Sequence, residues 1–153
     1  MPCDFETAYD TITNRVLAEW DAATIAVVGF PVEMRFKGVE PTDKGGKIVV
    51  PKTHFARFSM LQVVEPEITI RNGEFGKRYE HMGNIIIQCF AERQNIRAEE
   101  IGRKLARAAL DIFRGNEFDG GINFHNCRVN DLEPEQKFQR FNMVAEYHFD
   151  EIA

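Results

Sequence analysis

Residues 137–151 read KFQRFNMVAEYHFDE. Within them Phe141, Met143, Ala145, Tyr147 and Phe149 take every second position, the period of a strand that buries one face. It is the clearest period-two run in the chain. A second stretch, KRYEHMGNIIIQCFAE (77–92), has a β-branched centre at Ile85, Ile86 and Ile87 and apolar residues on both faces, which predicts a long central strand.

Outward from these strands, two helical patterns are available to cover the sheet. Over 4–20, Phe5, Ala8, Tyr9, Ile12, Val16 and Trp20 recur at spacings of three and four, with Asp4 as N-cap and Glu6 at the positive end of the helix dipole. Over 96–114, Ile101, Leu105, Ala108, Ala109 and Ile112 form the apolar stripe, with Asn95 as cap and Gly115 at C′. The segment ATIAVVGF (23–30) is apolar without a clean period and reads as strand or extended linker before Pro31. In 32–38, Val32, Met34 and Phe36 alternate with Glu33, Arg35 and Lys37, a half-buried strand.

FARFSMLQVVEPEITIRN (55–72) reads as a strand with a bend or edge at Pro66, followed by the Asn72–Gly73 turn signal. Asp119, Gly120 and Gly121 turn the chain into a strand at 122–131, and Pro134 separates it from the last. The order of helix, strands, helix, strands predicts an α+β fold: a mostly antiparallel β-sheet with two main α-helices packed on one face, a single domain over 1–153.

Composition narrows the function classes. The 153 residues are 44% hydrophobic and 28% charged, which is globular, and 13 Phe against one Trp point to a well-stocked core. A net charge of −5 argues against specific nucleic-acid binding, because phosphate neutralisation needs a basic face. No apolar run approaches the roughly 18 residues of a membrane span, and MPCDFETAYD lacks the regions of an export signal. Cys3, Cys89 and Cys127 read as reduced thiols in a cytosolic setting.

No catalytic pattern emerges. His125 and Cys127 share a face of their strand, as do His81 and Cys89, so a mixed metal site would need the two strands to be neighbours, and the spacing matches no compact ligand motif. Cys127, His125 and Asp131 are poorly placed for in-line proton transfer and have no oxyanion loop. Glu99 and Glu100 complement the dipole of their helix, and the glycine pairs at 45–46 and 120–121 form no phosphate cradle. The expectation is a protein that is not an enzyme and holds neither metal nor cofactor.

The remaining signals are surface ones. GVEPTDKGGKIVVPKT (38–53) combines prolines, a Gly–Gly pair and charges, and reads as a mobile loop longer than most in compact domains. Its apolar run Ile48, Val49, Val50 is unusual for a solvated loop. Arg57, Arg71, Lys77 and Arg78 lie in or beside strands. Arg97, Arg103, Lys104 and Arg107 decorate the second helix as a solvated face or a charged subunit interface. Lys44, Lys47, Ile48, Val49, Val50, Arg57, Arg71 and Arg78 are the candidate contact residues.

A helix ending at Trp20, then PVEMRF, FARFSMLQ, RYEHMGNIIIQCFAE, a helix running into IF, and FQRFNMVAEYHFDE together resemble siphophage tail terminator (tail completion) proteins. The resemblance covers about Phe5 to Glu151, departing at AERQNIRAEE, where the family often carries Pro and Gly. It implies a homo-oligomeric ring, a hexamer, that caps the tail tube, ends its polymerisation and forms the head-joining surface. It implies as partners further copies of the chain, the tail tube protein and a head-completion or connector protein. It also implies a place in the virion tail after synthesis in the bacterial host cytoplasm. The alternatives are a head–tail connector (neck) ring protein, a small metal-dependent hydrolase using His81, Cys89, His125 and Cys127, and a dimeric binding domain of cellular origin.

Overall fold

A computed structural model describes residues 4–36, 42, 44–47, 49, 53–64, 67–70, 77–93 and 96–152. Helix α1 spans Phe5–Val28, and Asp4 caps it by accepting from the Thr7 amide at 2.7 Å. The predicted stripe is its buried face: Ala8, Ile12, Val16 and Trp20 all enter the core. The helix does not stop at Trp20. Residues 23–28, expected as strand or linker, continue it, because Ala22, Ala23 and Ala26 favour helix and Thr24 is buried on the same face. Gly29 ends it in the left-handed conformation (φ 83°), where a Cβ would be strained, and its amide donates to the Ile25 carbonyl.

The next turn is tied back to the helix. The Trp20 indole donates to the Val32 carbonyl at 2.7 Å, and the Val32 amide donates to the Thr24 hydroxyl at 3.1 Å. Strand β1 (Glu33–Phe36) then pairs in parallel with β2 (Phe55–Val64). The run read as one strand over 55–72 is two, β2 and β3 (Glu67–Ile70), both antiparallel to β4 (Lys77–Glu92). Helix α2 (Ala98–Phe113) follows, then β5 (Glu117–Phe118), β6 (Ile122–Glu135) and β7 (Phe138–Ile152).

The sheet order is β1-β2-β4-β7-β6-β5, with β3 beside β4. Every pairing but β1 with β2 is antiparallel, and both helices pack on one face, so the α+β architecture is the one predicted. Strand β4 is central, with the bounds read from the sequence, and pairs with β7 continuously from Arg78↔Ile152 to Glu92↔Phe138. The alternating residues Phe141, Met143, Ala145, Tyr147 and Phe149 are all buried against the helices. Ala98, Gly102, Leu105, Ala106, Ala109, Leu110, Ile112 and Phe113 are buried on α2.

Two further expectations are corrected. Pro134 lies inside β6 and does not end it. The pairing with β7 slips between Leu132 and Glu135, and such a bulge tolerates a residue without an amide hydrogen. The residue before α2 is Arg97, with no side-chain cap, and Glu99 and Glu100 occupy the first turn; Asn95, expected as cap, lies outside the described residues. Gly115 follows α2 with φ 74°, as expected of C′. Among the described residues no helix is long and apolar enough to cross a membrane.

Candidate assembly surfaces

The face of the sheet turned away from the helices is laced by ion pairs between neighbouring strands. Arg78 on β4 pairs with Asp150 on β7 at 2.5 Å, and beside them the Glu80 carboxylate lies within hydrogen-bond distance of His148 Nε2, at 2.7 Å. Arg128 on β6 pairs with Glu146 at 3.3 Å, an oxygen that Asn126 also contacts, and Arg140 pairs with Glu135 at 3.1 Å. Ile86 and Val144 face each other between these rows. Exposed pairs of this kind are worth about 0–1 kcal/mol each, so they keep the face soluble more than they hold the fold. Arg78, a candidate contact residue, is thereby engaged within its own chain.

Arg57 occupies a different setting on the same face. Phe55, Phe90 and Phe138 form a small second core there, with Phe55 and Phe90 stacked at 4.2 Å and Phe138 edge-on to both. A cation lies over each ring: Arg35 over Phe55, Arg57 over Phe90 and Lys137 over Phe138, each 5.6 Å from the centroid. Contacts of this type contribute about 0.5–2 kcal/mol. This cluster was missed in the sequence. The available signal was phase, since Phe55, Phe90 and Phe138 sit where their strands should be polar. Nearby, the His54 ring stacks on Phe30 and its Nδ1 accepts from the Glu92 amide at 3.0 Å. Burial pushes the His54 pKa down, opposed by the Glu92 carboxylate.

Lys44 and Lys47 are exposed on a turn at 44–47, and Val49 is exposed as well. The Val49 carbonyl accepts from the Arg35 guanidinium, which anchors this part of the chain to the β1 flank of the sheet. Ile48, Val50 and Arg71 lie outside the described residues, as does most of the stretch expected to be a mobile loop. On α2 the charges pair along the helix: Arg103 with Glu99 and Lys104 with Glu100 at 2.8 Å, and Arg114 with Asp111 at 3.1 Å.

The histidines and cysteines are dispersed. Strand β7 separates β4 from β6, so the two pairs do not meet. The expectation that His125 and Cys127 share a face fails because Asn126 (φ 50°) forms a bulge, leaving His125 opposite Glu146 while Cys127 packs against the core. Burial raises the thiol pKa of both Cys127 and Cys89, most for the fully buried Cys89. His81 is buried, with its Nε2 2.7 Å from Glu151 and its ring stacked on Phe149. Among the described residues no group of three or more His, Cys, Asp or Glu side chains could hold a metal ion.

The two flanks of the sheet differ in chemistry. On α1 and the turn after it, Leu17, Ile25 and Phe30 are exposed apolar residues, and a groove between α1 and β1 is lined by Leu17, Trp20, Pro31 and Met34 together with the acidic Asp21 and Glu33. On the other flank, β6 is paired by β5 only at Ile122 and Asn123, and its outer edge has no further strand among the described residues. Asp131, Glu133 and Glu135 are exposed at the end of that edge.

No family model matches the chain, and no curated protein matches it. A solved structure of 9% sequence identity superposes with a TM-score of 0.57, over 92% of this chain and 94% of that one. That likeness establishes a shared fold alone.

Proposed function

We propose that the chain is a structural assembly subunit of a tailed-phage particle, which closes into a homo-oligomeric ring, caps the tail tube, ends its growth and forms the head-joining surface. The observation that carries this reading is the chemical asymmetry of the sheet flanks. A closed ring repeats one heterologous contact and therefore needs two different patches on each subunit. The exposed apolar residues of α1 and the turn after it, and the outer edge of β6, which beyond Asn123 has no strand beside it among the described residues, are two different patches of this kind. The order of sequence features resembling tail terminators directs the reading to the tube end. The partners are further copies of the chain, the tail tube protein and a head-completion or connector protein, in the virion tail.

Electron microscopy of the purified protein mixed with tail tubes tests it. A ring on one tube end is the expected result, whereas binding only to the head vertex would assign it to the neck. Deletion of residues 41–51 should leave a folded monomer, by circular dichroism, that no longer assembles. Wild-type assembly by that deletion variant would remove the loop from the contact.

A further inference from the structure

We propose that the chain associates with itself by seating Ile96 of one copy in the groove between α1 and β1 of the next. The proposal deepens the ring reading above and rests on it for the closure of this contact into a ring.

The second half of α1 is apolar on both sides. Its inner face is core, and the exposed positions over 17–26 are Leu17, Ala18, Asp21, Ala22, Ile25 and Ala26, with Asp21 the one charge. A solvated helix turns charge outward, as α2 does with Glu99, Glu100, Arg103, Lys104 and Arg107, whereas a helix apolar all round is one that is covered. The groove opens beside this face. It encloses about 300 Å³ between Leu17, Trp20, Pro31 and Met34, with Asp21 and Glu33 on its lining. Glu33 is paired with Arg35, and Asp21 has no ion pair among the described residues.

The matching feature is on the same chain. Ile96, in the turn between β4 and α2, is 97% exposed, more than any other large apolar side chain among the described residues. Arg93 and Arg97, both exposed, stand on either side of it in the sequence. The turn is anchored at both ends. The Arg93 guanidinium donates to the Gln136 carbonyl at 3.1 Å and its amide to the Lys137 carbonyl at 2.6 Å, while the Arg97 carbonyl accepts from the Ile101 amide at 2.8 Å. Of the nearby acids, Glu99 and Glu100 are engaged by Arg103 and Lys104, and Glu92 lies beside His54. An aliphatic knob between two cations thus meets an apolar groove with a carboxylate in its wall.

Ile96 is solvated in its own chain, so the groove it fills belongs to another copy. Groove on groove would set Asp21 against Asp21, and knob on knob Arg97 against Arg97, so unlike patches join and like ones do not. Burial of Ile96 supplies the attraction, and the charges set the register. Each copy uses its knob on one neighbour and its groove on the other, the condition for a closed ring, whereas reciprocal exchange between two copies would close a dimer.

Two variants test this, Ile96→Asp for the knob and Leu17→Lys with Asp21→Lys for the groove. All three positions are exposed, so folding should be retained, and circular dichroism checks it. Sedimentation velocity over a concentration series is run on wild type, on each variant and on their equimolar mixture. Wild type should assemble beyond a dimer. Each variant alone should associate about tenfold or more weakly, the worth of burying one branched aliphatic side chain. The mixture should form a one-to-one pair and stop there, because it holds one intact knob and one intact groove. Folded variants that assemble like wild type, a mixture without that pair, or a wild type that stays monomeric throughout would each overturn the proposal. If the variants still cap tubes as rings, the contact is wrong and the capping reading stands. If wild type stops at a dimer that both variants abolish, or forms rings that never bind a tube, the contact stands and the ring or capping reading falls.

Discussion

Gly83 sits in the middle of β4 with Gln62 of β2 on one side and Tyr147 of β7 on the other. The Tyr147 side chain crosses the space above it, and its hydroxyl donates to the Leu61 carbonyl at 3.2 Å. Burial pushes the Tyr147 pKa up to about 12. A Cβ at position 83 would lie 1.9 Å from the Leu61 oxygen and 2.5 Å from the Tyr147 hydroxyl, so backbone must shift to admit it. Gly83→Ala should therefore cost about 1–3 kcal/mol in denaturant unfolding, the usual penalty of overpacking, and an unchanged midpoint would contradict this account of the site.

His54 gives a second prediction at the same scale. Its Nδ1 accepts a backbone hydrogen bond, and burial holds the ring below its ordinary pKa. An unfolded chain takes up this proton near pH 6.5, the folded chain only at lower pH. Stability associated with neutral His54 is thus complete above about pH 6.5 and is lost as the pH falls through the folded value. His54→Asn keeps an acceptor and removes the titration. Below about pH 6.5 the wild-type unfolding free energy should fall more steeply than that of the variant; parallel curves would contradict it.

At the scale of elements, the junction of α1 and β1 rests on two buried hydrogen bonds to Val32, from the Trp20 indole and to the Thr24 hydroxyl. Thr24→Val preserves shape and strips the acceptor from the buried Val32 amide. It should cost about 1–3 kcal/mol with helix content retained, and wild-type stability would rule out that role for Thr24. The sequence was legible wherever one period dominated. In β7 the alternation from Phe141 to Phe149 marked the buried face, and in β4 the isoleucine run marked a strand in the centre of the sheet. It was less legible where tertiary context chose between forms. Residues 23–28 are apolar but for Thr24, so periodicity was silent, and it is the bonds to Val32 and the Gly29 cap that set the end of the helix. Phe55, Phe90 and Phe138 were unreadable as a group, because they meet only once the strand register is known.

For the whole molecule, the candidate site was half legible. Lys44, Lys47 and Val49 stood out through their Gly- and Pro-rich surroundings, but the outer edge of β6 was hidden by Pro134, which reads as a break and is absorbed in a bulge. Two different flanks on one sheet arise only from the strand order, which places β1 and β6 on opposite sides of a β2-β4-β7 centre. The functional account depends on that placement, since a cap must both recognise its own copies and present one surface to a polymer end.

The most direct measurement of the central claim is tube growth. Tail tube protein is polymerised with increasing amounts of this chain, and tube lengths are scored by electron microscopy. The account predicts that substoichiometric amounts arrest growth, with a ring on one end of each shortened tube. Lengths that do not change at any ratio, with no density at the ends, would contradict it.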